Sequence, residues 1–199
     1  MGDRTAKISR KTKETEIELE LNLDGQGNVE VETGIPFFDH MLSMVGKHGL
    51  IDLSIKAKGD LEVDGHHTVE DVGICLGQAL NQALGDKKGI RRYGSCLMPM
   101  DESLALVAID ISGRPYLVYD VDLPVEIIGS YDTALTVEFL QAFVNTSAMT
   151  IHVKVLAGRN AHHIVEAIFK GLARALGEAV EINPRIAGIV PSTKGMLEG

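Results

Sequence analysis

Two segments of this chain are near copies of each other: His66-His67-Thr68-Val69-Glu70 and His162-His163-Ile164-Val165-Glu166. Each reads His-His-x-Val-Glu, each opens an apolar run, and together they hold four of the 7 histidines. Imidazole and carboxylate at this spacing are the chemistry of metal binding. On a helix the first histidine and the glutamate stand four residues apart on one face, so a ring nitrogen and a carboxylate oxygen can reach one ion. The adjacent histidine points about 100° away and cannot easily join that ion. Each motif therefore looks built to feed two metals.

The copying extends beyond the motifs. A shift of 96 residues lays Leu76, Ala79, Leu80 and Ala83 on Leu172, Ala175, Leu176 and Ala179, one helix face repeated. Upstream the shift is 98: residues 51–55 fall on 149–153, and His40-Met41-Leu42 falls on Glu138-Phe139-Leu140. The two-residue change fits a loop insertion. A duplication of this length reads as an α/β unit used twice, since a solenoid needs several shorter repeats. Alone, His40 reads equally as a packed or solvated helix residue; its alignment with Glu138 brings both into the ligand set.

His40, His66, His67, Glu70, Glu138, His162, His163 and Glu166 make eight candidate ligands, four for each of two ions. One such motif could be no more than an exposed polar helix end, but two intact copies make that reading poor. Mixed imidazole and carboxylate sites suit manganese, iron or zinc, and ligand type does not choose among them. Four protein donors on a metal that prefers six leave positions for substrate or water, which points to catalysis rather than a structural staple.

The elements that must position these residues follow from pattern. Glu14 to Leu21 alternates charged and apolar, a strand with one wet face, and Val29-Glu30-Val31 resumes the alternation after the turn at residues 24–28 as a hairpin partner. Glu14 then reads as one more solvated strand carboxylate. Pro36 starts a helix through His40 toward His48 and Gly49; residues 50–57 form a strand, and Asp64-Gly65 delivers His66 to the next helix. Val69, Val72, Leu76, Ala79, Leu80 and Ala83 give that helix a face for a sheet, with Cys75 a buried small hydrophobe. Residues 104–111 form a strand, Ser112-Gly113-Arg114-Pro115 turns, and Tyr116 to Tyr119 returns. Helix, strand and motif helix then recur over 133–145, 149–156 and 161–181.

Arg91 and Arg92, between Gly89 and Gly94, and Arg114 carry planar donor forks that suit phosphate, although a lone loop arginine is usually surface. The tail Pro191-Ser192-Thr193-Lys194-Gly195 is either a frayed terminus or a clamp of two hydroxyls and an ammonium.

At 199 residues and 45% apolar, the chain can bury a full core as one domain, residues 1–199, of two pseudo-repeats at about 1–94 and 95–199. A formal net charge of -9 argues against nucleic acid and anionic membranes, so any phosphate must be held by a few local cations. Cys75 and Cys96 form no C-x-x-C pair, the Met1 end shows no charged-then-apolar leader, and no apolar run approaches a membrane span, which points to a reducing cytoplasm.

The combination of residues 38–42, Asp64-Gly65-His66-His67-Thr68-Val69-Glu70-Asp71, residues 112–115, Asn160-Ala161-His162-His163-Ile164-Val165-Glu166-Ala167 and residues 191–195 resembles the imidazoleglycerol-phosphate dehydratase family of histidine biosynthesis, in its single-function form. The resemblance covers nearly the whole chain in one order. It implies an α+β fold: an internally duplicated α/β sandwich of two similar halves, each a four-stranded sheet with helices packed on one face. It implies a symmetric homo-oligomer, 24 subunits in the family, with sites at subunit interfaces and two manganese ions per site. The activity implied is dehydration of D-erythro-imidazole glycerol phosphate to imidazole acetol phosphate. By the same matching, the eight ligands form the metal set and Glu14 falls at the catalytic carboxylate. His40, Arg92, Arg114, Lys170, Ser192, Thr193 and Lys194, with Glu14, fall at substrate positions.

Two positions depart from the family's pattern. Many members have histidine where this chain has Glu138, and many have glutamine where Met44 stands, so metal preference and one polar substrate contact are altered. The substrate chemistry leads to a mechanism. The departing hydroxyl sits on the carbon attached to the ring, and an electron-rich ring held by metals would expel it and acidify the neighbouring C–H, which Glu14 would remove. By the face argument, His66 joins Glu70 on one ion and His162 joins Glu166 on the other, with His67 and His163 crossing over. Two rivals remain open: another metal-dependent lyase or hydrolase of a small phosphate ester, and a metal-clamped oligomer without turnover.

Overall fold

Alternation decides the first sheet. In β2 (Thr15–Asn22), Ile17, Leu19 and Leu21 are buried while Glu16, Glu18 and Glu20 face solvent. Antiparallel to it run β1 (Thr5–Lys11), an edge strand, and β4 (Asp52–Gly59), whose Leu53 and Ile55 continue the buried face. The computed structural model describes residues 4–197; residues 1–3 and 198–199 lie outside the described residues.

The fourth strand corrects one sequence expectation. β3 (Val29–Glu32) does not form a hairpin with β2; it pairs in parallel with β4, giving the order β1-β2-β4-β3. The reason is the helix that follows it. α1 (Pro36–Gly49) must bury Phe38, Met41, Leu42 and Val45 on the sheet, so the chain crosses over through α1 and returns parallel. The second half repeats this. β5 (Tyr93–Met100), β6 (Ser103–Asp110), β7 (Tyr116–Asp120) and a later strand form a sheet in which β7, expected to turn back on β6, is instead parallel to that later strand. Between them lie a small hairpin, β8 (Ile127–Ile128) and β9 (Tyr131–Asp132), and α3 (Leu135–Ser147), ahead of β10 (Thr150–Ala157). The order β5-β6-β10-β7 matches the first sheet strand for strand.

Helix ends match as well. α1 stops where Leu50 takes a left-handed conformation, φ 55°, with its N–H on the Gly46 carbonyl; α3 stops in the same way at Ala148, also φ 55°, with its N–H on Val144. The long helices α2 (His66–Leu84) and α4 (Ala161–Val180) each cover one sheet. The short helices are exchanged: α3 lies against α2, and α1 against α4. Gly73 and Gly77 let α2 approach the Phe139 and Phe143 carbonyls too closely for any side chain. Phe38 meets Phe139 at 5.4 Å and Phe139 meets Phe169 at 5.3 Å, an aromatic seam between the halves whose pairs each add about 0.5–1.5 kcal/mol beyond buried area. The result is one duplicated sandwich with helices inside and a sheet on each outer surface.

Those two outer surfaces differ in chemistry. The first carries charged rungs: Lys7–Glu20, Lys11–Glu16 and Lys56–Glu30. The second carries Leu97 opposite Leu106, the rung Ser95–Ala108–His152–Val118 across β5, β6, β10 and β7, and one ion pair, Lys154–Asp120, with Leu97 56% and Tyr116 63% exposed.

Candidate active site

Each His-His motif starts its helix under a side-chain cap. Asp64 Oδ1 accepts the His66 N–H at 2.7 Å, and its counterpart Asn160 Oδ1 accepts from His162 N at 3.0 Å and His163 N at 3.4 Å. The starts of the four helices gather at one end of the sandwich. Phe37 of α1 stands edge-on to His162 of α4 at 5.0 Å, and Gly65 packs against Ile35 and Leu135 at the starts of α1 and α3.

The second motif draws in α1. His162 Nε2 lies 3.2 Å from Glu166 Oε2, and His40 Nε2 approaches the same oxygen at 3.8 Å. Lys170 Nζ holds the other oxygen at 2.6 Å. Burial works to raise the Glu166 pKa, but Lys170 and His162 outweigh it and keep the carboxylate ionised. His66 and Glu70 share a face of α2, and Glu138 lies exposed in the first turn of the adjacent α3. Among the described residues, no three His, Cys, Asp or Glu side chains converge closely enough to hold a metal ion within one chain.

The remaining two histidines are each held by a carboxylate that pattern alone did not single out. Asp60 takes His67 Nδ1 at 3.0 and 3.2 Å; Glu102 takes His163 Nδ1 at 2.7 Å. These bonds raise both imidazole pKa values and hold Glu102 far below the usual carboxylate range. A carboxylate on Nδ1 fixes the ring orientation and tautomer that presents Nε2 to a cation. The donor set thus fits divalent metals: oriented imidazoles and anionic carboxylates, in two incomplete groups.

Glu14 sits in the turn between β1 and β2, exposed, next to the first motif, and it helps raise the His67 pKa. Thr12 Oγ1 accepts the backbone N–H groups of Glu14 and Thr15 at 3.0 and 2.9 Å. Behind the turn, Thr15 donates its hydroxyl at 2.5 Å to buried Asp71, which also pairs with Arg10 at 2.9 Å. Asp71 therefore ties the Glu14 turn to the helix that carries Glu70. The second half has buried Ala167 at the matching position and no such tie.

The phosphate-suited cations divide into two groups. Lys170 belongs to the motif end, and half-buried His48 lies near it and Arg174; burial, then those two cations, push the His48 pKa down while Glu166 opposes them. Met44, one helix turn before His48, packs on the core and offers no polar contact there. The other group is remote. Arg92 forks onto Asp110 at 2.8 and 3.3 Å, donates to the Pro191 carbonyl at 2.9 Å, and bonds through its N–H to the Ala179 carbonyl. This brings Ser192, Thr193 and Lys194 beside Arg92, while Arg114 lies in the turn just past the end of β6. His162 opens α4 and Ala179 nearly closes it, so about 25 Å of helix separates the two ends. One chain does not bring its own Arg92 to its own histidines.

Comparison with known proteins follows the same lines. The family model described as Imidazoleglycerol-phosphate dehydratase matches residues 33–176. A relative of that name from Moorella thermoacetica is 60% identical, covering 98% of each chain, and one from Acetivibrio thermocellus is 58% identical, covering 98% of this chain and 100% of the relative. The crystal structure of imidazoleglycerol-phosphate dehydratase from Staphylococcus aureus superposes with a TM-score of 0.82 at 40% identity, over 90% of this chain and 99% of that one. A Pyrococcus furiosus structure, solved in complex with (S)-C348, gives 0.81 at 39% identity over 96% and 100%.

Proposed function

The chain belongs to the imidazoleglycerol-phosphate dehydratase family, and from that premise we propose how its own residues carry out the dehydration. The enzyme is a hydro-lyase of histidine biosynthesis that removes water from D-erythro-imidazole glycerol phosphate and leaves imidazole acetol phosphate.

Two manganese ions per site would be held by His40, His66, His67, Glu70, Glu138, His162, His163 and Glu166, contributed by more than one subunit. When bound, they would supply Lewis-acid chemistry at the substrate's ring nitrogens, easing departure of the hydroxyl from the carbon next to the ring. Glu14 takes the hydrogen from the following carbon as general base, and the resulting enol becomes the ketone. Its support is position: a carboxylate without a side-chain partner among the described residues, beside His67, on a turn braced by Thr12, Thr15 and Asp71. Arg92, Arg114, Ser192, Thr193 and Lys194 hold the phosphate from one side and Lys170 from the other, fixing the ring and chain so that binding is spent on orientation.

The observation that carries this reading is the separation of the two groups along α4. A site needing both the histidines and the Arg92 group is completed between subunits, which supports a large symmetric homo-oligomer of the 24-subunit kind. The exposed Leu97 and Tyr116 on the outer face of the second sheet support self-association as well. No described helix is long and apolar enough to cross a membrane, and the two free cysteines suit a reducing cytoplasm. The test is formation of the keto product, followed by absorbance, with purified protein stripped of metal and then given manganese. Turnover only with the metal is expected. Equal turnover without it would reject the metal role, and a metal-loaded protein inert toward this substrate would reject the activity.

A further inference from the structure

The two halves use equivalent glutamates differently. Ile8 pairs with Leu19 and Cys96 with Val107, and every rung of the β1–β2 hairpin maps onto β5–β6 by a shift of 88 residues. On that register Glu14 and Glu102 occupy the same place in the repeated unit. Glu102 is fully engaged: one oxygen accepts from His163 Nδ1 at 2.7 Å, the other from the Asn160 N–H at 2.9 Å. Among the described residues the Glu14 carboxylate has no hydrogen-bond or ion-pair partner, although His67, the counterpart of His163, is its neighbour.

What differs is Asp60. It supplies the Nδ1 contact to His67 that Glu102 supplies to His163. Its counterpart is Arg159: a Cβ on Gly59 would meet Thr68 and Thr15, one on Gly158 would meet Ile164 and Ser103 at the matching positions, and the bulge between Val155 and Ala157 supplies the one-residue offset, so the second half has a guanidinium and no carboxylate at the place of Asp60. The first-half loop is also the longer one, by the two residues that separate the shifts of 98 and 96. Asp60 and Glu14 border one shallow recess with Lys58 and Gly59, and Glu14 is near enough to act on the His67 charge that Asp60 bonds directly.

We propose that Asp60 is a positioning residue: by occupying Nδ1 of His67 it keeps Glu14 from being captured as Glu102 is, and so leaves the Glu14 carboxylate open to substrate. This rests on Glu14 being the base and on His67 being a metal ligand. It adds that the spare acidic residue of the longer loop is what lets one half of a duplicated unit be catalytic.

The test is a double-mutant cycle read in manganese affinity as well as rate. In Asp60→Ala, Glu14 is expected to take over Nδ1, so manganese affinity stays within about threefold of the parent while kcat falls by on the order of 10²-fold at nearly constant KM. In Asp60→Ala/Glu14→Ala, His67 loses both side-chain acceptors and manganese affinity falls by about 10–100-fold, whereas Glu14→Ala alone leaves it unchanged. Equal manganese affinity in Asp60→Ala and in the double variant overturns the proposal, as does an unchanged kcat in Asp60→Ala. Asp60→Asn keeps an oxygen for the Nδ1 hydrogen and is expected to hold kcat within about tenfold. A fall of about 10²-fold there overturns the proposal whether or not Asp60→Ala folds. The single Glu14→Gln variant tests the underlying assignment separately.

Discussion

Glu14→Gln is expected to lower turnover by on the order of 10²–10⁴-fold, the range supplied by a positioned general base, without loss of metal or of substrate binding. The substitution is nearly isosteric, and the side chain is exposed in a turn whose geometry comes from backbone N–H groups bonded to Thr12 and from the Thr15–Asp71 contact. Nothing in those supports involves the Glu14 carboxylate. A loss confined to kcat, measured beside manganese content and the affinity of a non-reactive substrate analogue, is therefore the mark of a group acting on the substrate. If the analogue is released in the same proportion as the rate falls, Glu14 is a binding residue and the base lies elsewhere.

The second large effect is on assembly. Metal removal with a chelator is expected to abolish turnover and to break the oligomer into smaller species, with manganese restoring both. Within one chain His40, His162 and Glu166 approach each other, yet among the described residues no group of three His, Cys, Asp or Glu completes a site. Ions completed by donors from a neighbouring chain would link the subunits, and their binding free energy would become assembly free energy. Size measurement by light scattering, before and after chelation, decides the matter. A chelated sample of undiminished mass would show that the ions do not join the subunits.

Much of this architecture can be read from the letters because the chain supplies its own comparison. The repeated His-His-x-Val-Glu marks the two long helices, and the shift of 98 residues finds α1, α3, β4 and β10. Strand pairing is harder. Val29-Val31 and residues 116–119 alternate like hairpin returns, but the helix each must feed sends the chain back parallel, so partner choice is a tertiary decision. The site shows the same limit. Ligand types at helical spacing announce themselves, whereas Asp60, Glu102, Asp71 and Asp110 are ordinary acidic letters until the fold brings them to His67, His163, Thr15 and Arg92. Glu102 alone had a signal available, the match of its turn to that of Glu14, but it appears only once the strands are aligned in register.

The length of α4 has a consequence for mixtures. Since Arg92 is fastened near one end of that helix and the histidines begin the other, a site shared between subunits would let damage to Glu14 and damage to Arg92 spoil different pockets when they reside on different polypeptides. Two dead parents, unfolded into subunits and reassembled together, are expected to regain part of the lost rate. Some pockets in the hybrid would receive their sound half from each parent.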